Sequence, residues 1–430
     1  MARKINERVF LEESGVTGLN QYAGQIFEEF IPSLRGSRRM ATYKEMRWND
    51  ATISGSFFAM ELLARKASWI FRAEGSDPAD IETADFLNSC LGDMEHPWTD
   101  FISEAMSMAP FGFSLNEFVL KKRSGDTGDK TTQSQYDDGR IGIRKLAPRS
   151  QDSVDRWALG ESGDVIGVHQ VAPPDFKPRY IPIEKLLHLR IMSSKGDPNG
   201  LPILRGMHRA WYFKKRIENL EAIGVERDLA GIPVARIPAE YLLPSASSEQ
   251  KAAAEEYRRI ITNIRRDEQE GLLLPSDKDD KGNYLYTIEL LSGGSRRQFA
   301  TNEIVLRYAR EMAESMMADF LKLGNGSTGS FALSSSKTEL FALVVGALLD
   351  IVAEGFNRKI VTLLLQLNPT LRPTAPVKLT HGDIEEADLK EFGEYAKALT
   401  VAGIPLDDIL TQAHLRAIAG FPPPPVPAAE

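Results

Sequence analysis

Apolar and polar positions follow a helical period through residues 301–323. Ile304, Tyr308 and Met312 recur every three to four positions, and charged residues fill the opposite side. This spacing predicts an amphipathic helix with one solvated face. Residues 337–366 are apolar almost throughout. They predict a helix that a single copy of the chain does not cover, because large exposed apolar surfaces usually mark interaction sites.

Residues 324–336 (GNGSTGSFALSSS) separate these two helices. The segment is polar and rich in glycine, so it predicts an exposed loop and not a buried connection. Loops of this length between strongly patterned helices are often functional. We therefore expect this segment to have a role beyond linking two elements.

Charged residues interrupt the apolar helix at Asp350, Glu354, Arg358 and Lys359. The apolar run before Asp350 is too short to cross a bilayer. The sequence therefore favours a helix buried between subunits or domains, with no membrane contact. The first residues, MARKINERVF, lack the apolar centre of a signal peptide, so we expect a soluble protein made in the cytosol.

The first half of the chain predicts an α+β domain. Residues 43–71 are typical of a helix, and residues 97–123 of a helix that turns into a strand at Gly112. The polar residues 124–139 predict a hairpin loop, because the flanking segments IGIRKLAP and VIGVHQV have strand character.

A long helix over residues 204–229 follows, and residues 231–299 predict a compact insert. The insert holds a strand at IPVARIP, a helix over residues 252–269, and strands over residues 271–276 and 285–291. Two short helices, over residues 385–403 and 406–420, precede the proline-rich end FPPPPVPAAE. That end predicts an extended, disordered tail.

Composition removes several classes of site. The length of 430 residues suggests two to three domains. Cys90 is the only cysteine, which excludes an intrachain disulfide and a cysteine-based metal site within one chain. The six histidines show no ligand spacing. The net charge of −8 argues against a broad basic face that grips nucleic acid.

Motifs of catalysis are also missing from the sequence. It contains no GxxxxGK[ST] phosphate loop, GxSxG elbow or HExxH helix. Two carboxylate clusters, at residues 277–280 and 407–408, have the ligand type for Mg²⁺, but charged turns and helix caps look the same. We predict no catalytic residue, no metal site and no cofactor.

Three motifs in a fixed order resemble those of one family. The first motif consists of Tyr43, Met46, Asp50, Ile53, Leu62, Arg65, Lys66 and Trp69. The second motif is FGFSLNE at residues 111–117. The third motif is residues 186–238, where a His-bearing strand, the turn GDPNGLP, a helix with Trp and Lys, and a Glu-Arg pair follow one another. Together they resemble portal proteins of tailed bacteriophages, close to the Mu-type branch.

The resemblance implies a ring of twelve copies built from an α+β portal fold. It divides the chain into an N-terminal arm, a wing, two stem helices that flank a clip, a tunnel loop, a long wing helix, a crown and a tail. The segments are the N-terminal arm (1–42), the wing (43–203), the first stem helix (204–230), the clip (231–300), the second stem helix (301–323), the tunnel loop (324–336), the long wing helix (337–368), the crown (369–420) and the tail (421–430). The short C-terminal part departs from longer portals and leaves room for only a small crown.

The implied function is a channel for packaging and ejecting double-stranded DNA at one capsid vertex of the virion, after assembly in the host cytoplasm. The implied partners are the terminase large subunit, a head–tail adaptor or neck protein, and the major capsid protein or scaffold. The DNA-facing candidates are Lys322, Gly324, Asn325, Gly326, Ser327, Thr328, Ser330 and Lys337. The docking candidates on the clip are Arg258, Arg259, Arg265 and Arg266.

Some alternatives remain open at the level of sequence. Lys322 and Lys337 are candidates for phosphate contact, but the glycines and serines between them are equally suited to flexibility alone. Another virion structural protein, such as a head-completion protein, would share the lack of catalytic motifs. A DNA-acting phage enzyme would need a carboxylate constellation or a phosphate loop.

Overall fold

The computed structural model describes most of the chain, namely residues 13, 15–230, 232–263, 277–278, 280–282, 284–291, 301–318, 331–382, 384 and 397. The chain divides into two compact units. The larger unit comprises Met1–Met207 and Ala313–Glu430, and the smaller unit comprises His208–Met312.

The larger unit begins with helices and strands that alternate along the chain. These elements are β1 (Gln21–Tyr22), β2 (Gln25–Ile26), α1 (Gly36–Asn49), α2 (Ala51–Lys66), β3 (Trp69–Ala73), α3 (Pro78–Gly92), α4 (Trp98–Met106), α5 (Met108–Phe111), β4 (Phe113–Lys122), β5 (Ile141–Pro148), β6 (Val154–Leu159), β7 (Val165–Val171), β8 (Pro178–Pro182) and β9 (Leu186–Arg190).

The helix α6 (Ile203–Ala230) leads into the smaller unit, which contains β10 (Ile232–Arg236), α7 (Ser248–Asn263) and β11 (Thr287–Leu291). The helix α8 (Thr301–Glu314) leads out of it. The larger unit then continues with α9 (Phe331–Phe356), a π-helical turn (Asn357–Val361), α10 (Thr362–Leu367) and β12 (Val377–His381).

Antiparallel pairing organises every described sheet. In the larger unit β4 lies between β5 and β9, and β7 lies between β6 and β8. The pairs β1–β2 and β3–β12 are two-stranded. In the smaller unit β10 pairs with β11. Mixed helices and antiparallel sheets agree with the predicted α+β class, as do the strand entry at Gly112 and the hairpin between β4 and β5.

Residues 43–71 do not form the single helix that the sequence predicted. They form two helices and the start of a strand, because Asp50 adopts an extended backbone between α1 and α2. The Asp50 carboxylate accepts hydrogen bonds from the backbone N–H groups of Thr52 at 2.9 Å and Ile53 at 3.1 Å. These bonds cap the first turn of α2. The apolar residues keep their helical spacing across the break at Asp50, so the spacing alone does not reveal it.

The helix predicted over residues 301–323 is also too long. α8 ends at Glu314, where Met317 takes a left-handed backbone with φ of 54°. Ala318 N–H donates to Ala313 O at 2.9 Å, and Met317 N–H donates to Glu314 O at 3.0 Å. This pair of bonds is a Schellman motif, which satisfies the last carbonyl groups of a helix. Residues 319–323 lie outside the described part of the chain.

The predicted loop 324–336 is shorter than expected, because α9 already begins at Phe331. Residues 324–330 lie outside the described residues, as do residues 264–276 of the insert, the helices predicted over residues 385–403 and 406–420 (apart from Lys397) and the C-terminal tail. Lys337, predicted at the loop's end, is inside α9. None of the described helices is long and apolar enough to span a membrane.

The apolar helix α9 packs mostly inside its own unit. Phe341, Val345, Val352 and Phe356 have no exposed surface. The Phe356 ring lies 5.4 Å from Trp98 and 6.1 Å from Phe71 between ring centroids. The expectation that one copy of the chain does not cover this helix is therefore wrong for most of its length. Leu340 and Leu343 stay exposed.

Two buried polar side chains fasten the C-terminal part of this core. The Asp80 carboxylate accepts hydrogen bonds from Thr374 N–H at 2.6 Å and Ala375 N–H at 3.0 Å, and these backbone donors lower its pKa. The Asn368 amide accepts from Ile141 N–H at 2.8 Å and donates to Ile141 O at 2.9 Å. Both contacts connect residues more than two hundred positions apart.

Candidate assembly site at the motif junction

Two of the sequence motifs meet through their backbones. Gly112, between α5 and β4, has φ of 94°, and a Cβ on it would lie 2.3 Å from Asn199 O. Gly200 has φ of 58°, and its Cβ would lie 2.2 Å from Gly112 O. A side chain fits at neither position, and both backbones favour glycine. We call this contact, together with Arg39, Trp157 and Asn199, the motif junction.

Asn199 connects its turn to two other segments of the chain, at Arg39 and Trp157. Its Oδ1 accepts hydrogen bonds from Arg39 Nη2 at 2.8 Å and from Trp157 Nε1 at 3.1 Å. Its backbone N–H and its Nδ2 both donate to Asp197 Oδ1, at 2.8 and 2.9 Å. Burial raises the pKa of Asp197, although these donors oppose the rise. All polar atoms of the Asn199 side chain are therefore engaged inside the turn.

His188 supports the same turn from β9. Its Nε2–H donates to Pro198 O at 2.8 Å, and its ring lies 5.1 Å from the Trp157 ring. Burial lowers the pKa of His188 to about 4. The imidazole is consequently neutral near pH 7 and acts as a hydrogen-bond donor in a packed position. This histidine therefore holds the turn in place.

The first turn of α6 is anchored by an ion pair. Arg205 donates through Nε and Nη2 to the Glu29 carboxylate, at 2.5 and 3.1 Å, and its guanidinium lies 4.9 Å from the Phe30 ring centroid. Tyr43, from the first motif, borders the same region, where burial raises its pKa to about 12. A cavity of about 590 Å³ lies between these groups. The junction thus fixes the direction in which α6 begins.

The second motif ends in a charged residue with two partners. Glu117 accepts hydrogen bonds from Arg149 Nε at 3.0 Å and Nη2 at 2.5 Å, and Lys185 Nζ lies 3.0 Å away. Burial raises the pKa of Glu117, but the hydrogen bonds from Arg149 and Lys185 outweigh it and lower the pKa overall. This ion pair holds β4 next to the segments that follow β5 and precede β9.

The contacts of the junction hold backbone segments in place. The Asn199 side chain accepts from Arg39 and Trp157 and donates to Asp197, so these groups position backbone segments. Within the described residues, His, Cys, Asp and Glu side chains form no group of three that suits a metal ion.

The smaller unit has its own aromatic centre. The hydroxyl groups of Tyr241 and Tyr286 lie 2.8 Å apart, and the Tyr257 ring stacks on Tyr286 at 5.7 Å. In the same unit, the Phe213 ring on α6 stacks on the Tyr308 ring on α8 at 6.1 Å. The contact between Phe213 and Tyr308 places α6 next to α8 within the smaller unit.

The structure describes two of the predicted docking residues. Arg258 and Arg259 are exposed on α7, and each pairs with a glutamate one turn earlier, Glu255 at 3.0 Å and Glu256 at 2.6 Å. Arg265 and Arg266 lie outside the described residues. So do the predicted loop residues Lys322, Gly324, Asn325, Gly326, Ser327, Thr328 and Ser330.

Sequence reasoning missed the residues that make the junction. Arg39 and Asn199 are 160 positions apart, and Trp157 lies between them in the chain. A partial signal was present in the turn GDPNGLP, where Asp and Asn commonly bond to the nearby backbone. The turn was recognised, but its tertiary partners have no local pattern.

We expect Gly200→Ala to destabilise the protein by more than about 2 kcal/mol, because a Cβ there collides with the Gly112 carbonyl. Gly206→Ala is the matched control. Gly206 lies inside α6, where a Cβ meets no described atom within 4 Å, so alanine should raise stability by up to about 1 kcal/mol. Urea unfolding of the three proteins measures both effects. Equal stability of parent and Gly200→Ala would contradict the close contact.

Comparison with known proteins gives a consistent result. The sequence profile of the family described as "Portal protein of Mu bacteriophage" matches residues 40–418. The neck of an empty GTA particle, computed with C6 symmetry, is similar at 13% identity with a TM-score of 0.53, over 89% of this chain and 94% of that chain. The neck of the native GTA particle, computed with C12 symmetry, is similar at 12% identity with a TM-score of 0.53, over 95% of this chain and 97% of that chain.

These structural similarities concern the fold. The virion of the native gene transfer agent particle adds a third example, at 13% identity and a TM-score of 0.51, over 89% of this chain and 94% of that chain. The family match is more specific, because it covers nearly the whole chain and includes all three sequence motifs. The chain belongs to the Mu bacteriophage portal protein family.

Proposed function

We propose that this protein forms a ring of twelve copies at one capsid vertex and provides the channel through which double-stranded DNA is packaged and ejected. Membership of the portal family supports this function. Similar necks were solved with C6 and C12 symmetry, in keeping with a ring. The role is structural and needs no catalytic group.

The observation that carries the proposal is the exposed apolar surface of the smaller unit. Leu220 and Ile223 on α6 are 59% and 45% exposed, and Leu306 on α8 is 55% exposed. Apolar side chains on exposed helices favour association with another surface. In a ring each copy presents the same two different faces, so heterologous contacts between neighbours close by rotation. We assign α6 and α8 as the stem helices.

Charge supports a conduit for DNA. The chain carries a net charge of −8, and strong attraction between a channel wall and phosphates would hold the duplex in place. A weakly interacting wall lets it slide. We assign residues 324–330 as the tunnel loop, with Lys322 as a candidate phosphate contact. Lys337 remains a candidate as well, now as a residue of α9.

The insert between the stem helices is the proposed clip. Arg258 and Arg259 form ion pairs with Glu255 and Glu256 on α7 and are solvent-exposed. Mixed exposed charges suit reversible, salt-sensitive docking, because they raise association rates more than affinity. We propose that the terminase large subunit docks here first and the head–tail adaptor later. The capsid protein or scaffold would contact the wing, during assembly in the host cytoplasm.

The particle mass should reveal the ring. The parent protein should give particles of about twelve times 47.8 kDa in mass photometry. Leu220→Glu with Ile223→Glu should shift most protein to smaller species, because charge replaces the apolar contact. Asn219→Glu, on the same exposed turn, should keep the ring. A parent protein that stays monomeric at micromolar concentration, with no rings in micrographs, would refute the assembly.

Flexibility of the tunnel loop should matter for DNA and not for assembly. A ring and a helical duplex have mismatched symmetry, so each loop must adjust independently. Proline at Gly324, Gly326 and Gly329 should therefore preserve the ring but abolish packaging or retention of DNA. Alanine at Gly329, which is not one of the DNA-facing candidates, leaves the backbone free to rotate; it is the control and should package normally. If proline-substituted particles retain a full-length genome, this segment is only a connector.

Charge reversal on the clip should separate docking from assembly. Arg265→Glu with Arg266→Glu should leave the ring mass unchanged and weaken terminase binding at low salt, where surface charges are least screened. The difference from the parent protein should shrink at high salt. Normal terminase binding by this variant at low salt, measured by surface plasmon resonance, would exclude Arg265 and Arg266 as docking residues.

A further inference from the structure

The helix α2 carries apolar side chains on both of its sides. Ile53, Phe57 and Met60 face the core of the larger unit and are buried. On the opposite side, Phe58 and Leu62 are 59% and 50% exposed. A surface helix normally has polar residues on its solvated side. The outer side of α2 is therefore an apolar surface that its own chain does not cover.

Four exposed residues follow this outer side of α2. We call Gly55, Phe58, Leu62 and Arg65 the α2 stripe, because spacings of three, four and three residues place them on one side of the helix. A Cβ on Gly55 would meet no described atom within 4 Å, so the described part of the chain does not require a glycine there. A glycine inside a helix lowers its stability but lets another backbone approach closely.

The outer side of α9 has residues at the same spacing. We call Leu340, Leu343, Ala347 and Asp350 the α9 stripe, and all four are exposed, Leu343 by 69%. The helices α2 and α9 contact each other within the larger unit. The two stripes lie on the solvated sides of these helices, so that contact uses neither stripe.

The charges at the ends of the two stripes are opposite. Arg65 ends the α2 stripe, and Lys66 beside it is also exposed. Asp350 ends the α9 stripe, and Glu339 precedes it. Asp350 Oδ1 lies 3.2 Å from His381 Nε2, yet the Asp350 side chain remains 78% exposed and can accept further hydrogen bonds.

Two further carboxylates on these helices have positive charges nearby. Glu61 is half-buried on α2 and lies near the guanidinium of Arg47, although the carboxylate of Glu104 is also close. Glu354 on α9 forms an ion pair with Arg358 at 2.6 Å. A basic end of the α2 stripe and an acidic end of the α9 stripe therefore favour contact between the two.

We propose that the α2 stripe of one copy of the chain packs against the α9 stripe of the next copy, with the two helices parallel. Gly55 of one copy then receives Leu340 of the next, and Arg65 meets Asp350. Each copy contributes two different surfaces, as a heterologous contact that closes by rotation requires. This inference rests on the proposed ring and adds a contact between the larger units of neighbouring copies.

Two substitutions test whether the stripes carry association. Phe58→Lys and Leu343→Glu should each shift most of the protein to smaller species in mass photometry, because each puts a charge into an apolar contact. Both positions are exposed, so the separate chain should still fold. Ile81→Glu is the matched control, since Ile81 on α3 is 51% exposed and lies on neither stripe, and it should keep the parent mass. An unchanged mass in both stripe variants would overturn the contact and leave the ring in place.

A mixture of the two variants tests whether the stripes face each other. At equal amounts of Phe58→Lys and Leu343→Glu, alternating copies bring the introduced lysine against the introduced glutamate, and every other stripe contact is the native one. The mixture should therefore recover the parent mass, and a mixture that stays dissociated would refute the pairing. A parent particle of another copy number that is lost in both variants and recovered in the mixture would refute the ring of twelve but support the contact. A monomeric parent protein would refute both.

Discussion

The contact between the backbones of Gly112 and Gly200 constrains everything that follows it in the larger unit. At 2.2 Å from a would-be Cβ to a carbonyl oxygen, the two turns approach as closely as polypeptide chains allow. This approach places Asn199 where Arg39 and Trp157 both reach its Oδ1. The turn is therefore held from several sides at once. The first residues of α6, which starts three residues later, belong to the same unit as that turn.

The apolar helix α9 supplies the stability that this junction needs. Its buried side chains recur at helical spacing from Phe341 to Phe356, and they meet an aromatic cluster from α4 and β3. Just beyond it, Asn357 accepts from Leu379 N–H at 2.7 Å and donates to Leu379 O at 3.0 Å, which attaches β12 to the π-helical turn. Two segments distant in sequence thus form one core.

The sequence correctly predicted those elements that depend on residues close together in the chain. The glycine at residue 112, the polar hairpin loop and the period of α6 each identified an element correctly. The Asp50 break was missed because a cap interrupts the backbone without interrupting the apolar period. The end of α8 was missed because Met317 adopts a left-handed backbone that its residue type does not favour. The three sequence motifs were recognised, but not their meeting point, since Arg39 and Asn199 interact across 160 positions.

Two asparagine side chains complete backbone pairing in the larger unit. Asn88 accepts from Phe71 N–H at 2.8 Å and donates to Phe71 O at 3.1 Å, and Asn368 makes the same pair of bonds with Ile141. In both, the amide replaces a missing strand partner and completes a backbone ladder. Neither pair of bonds has a local signal in the sequence, because Asn368 and Ile141 are 227 positions apart and Asn88 and Phe71 are 17 positions apart. The packing of the larger unit as a whole therefore selects these two asparagines.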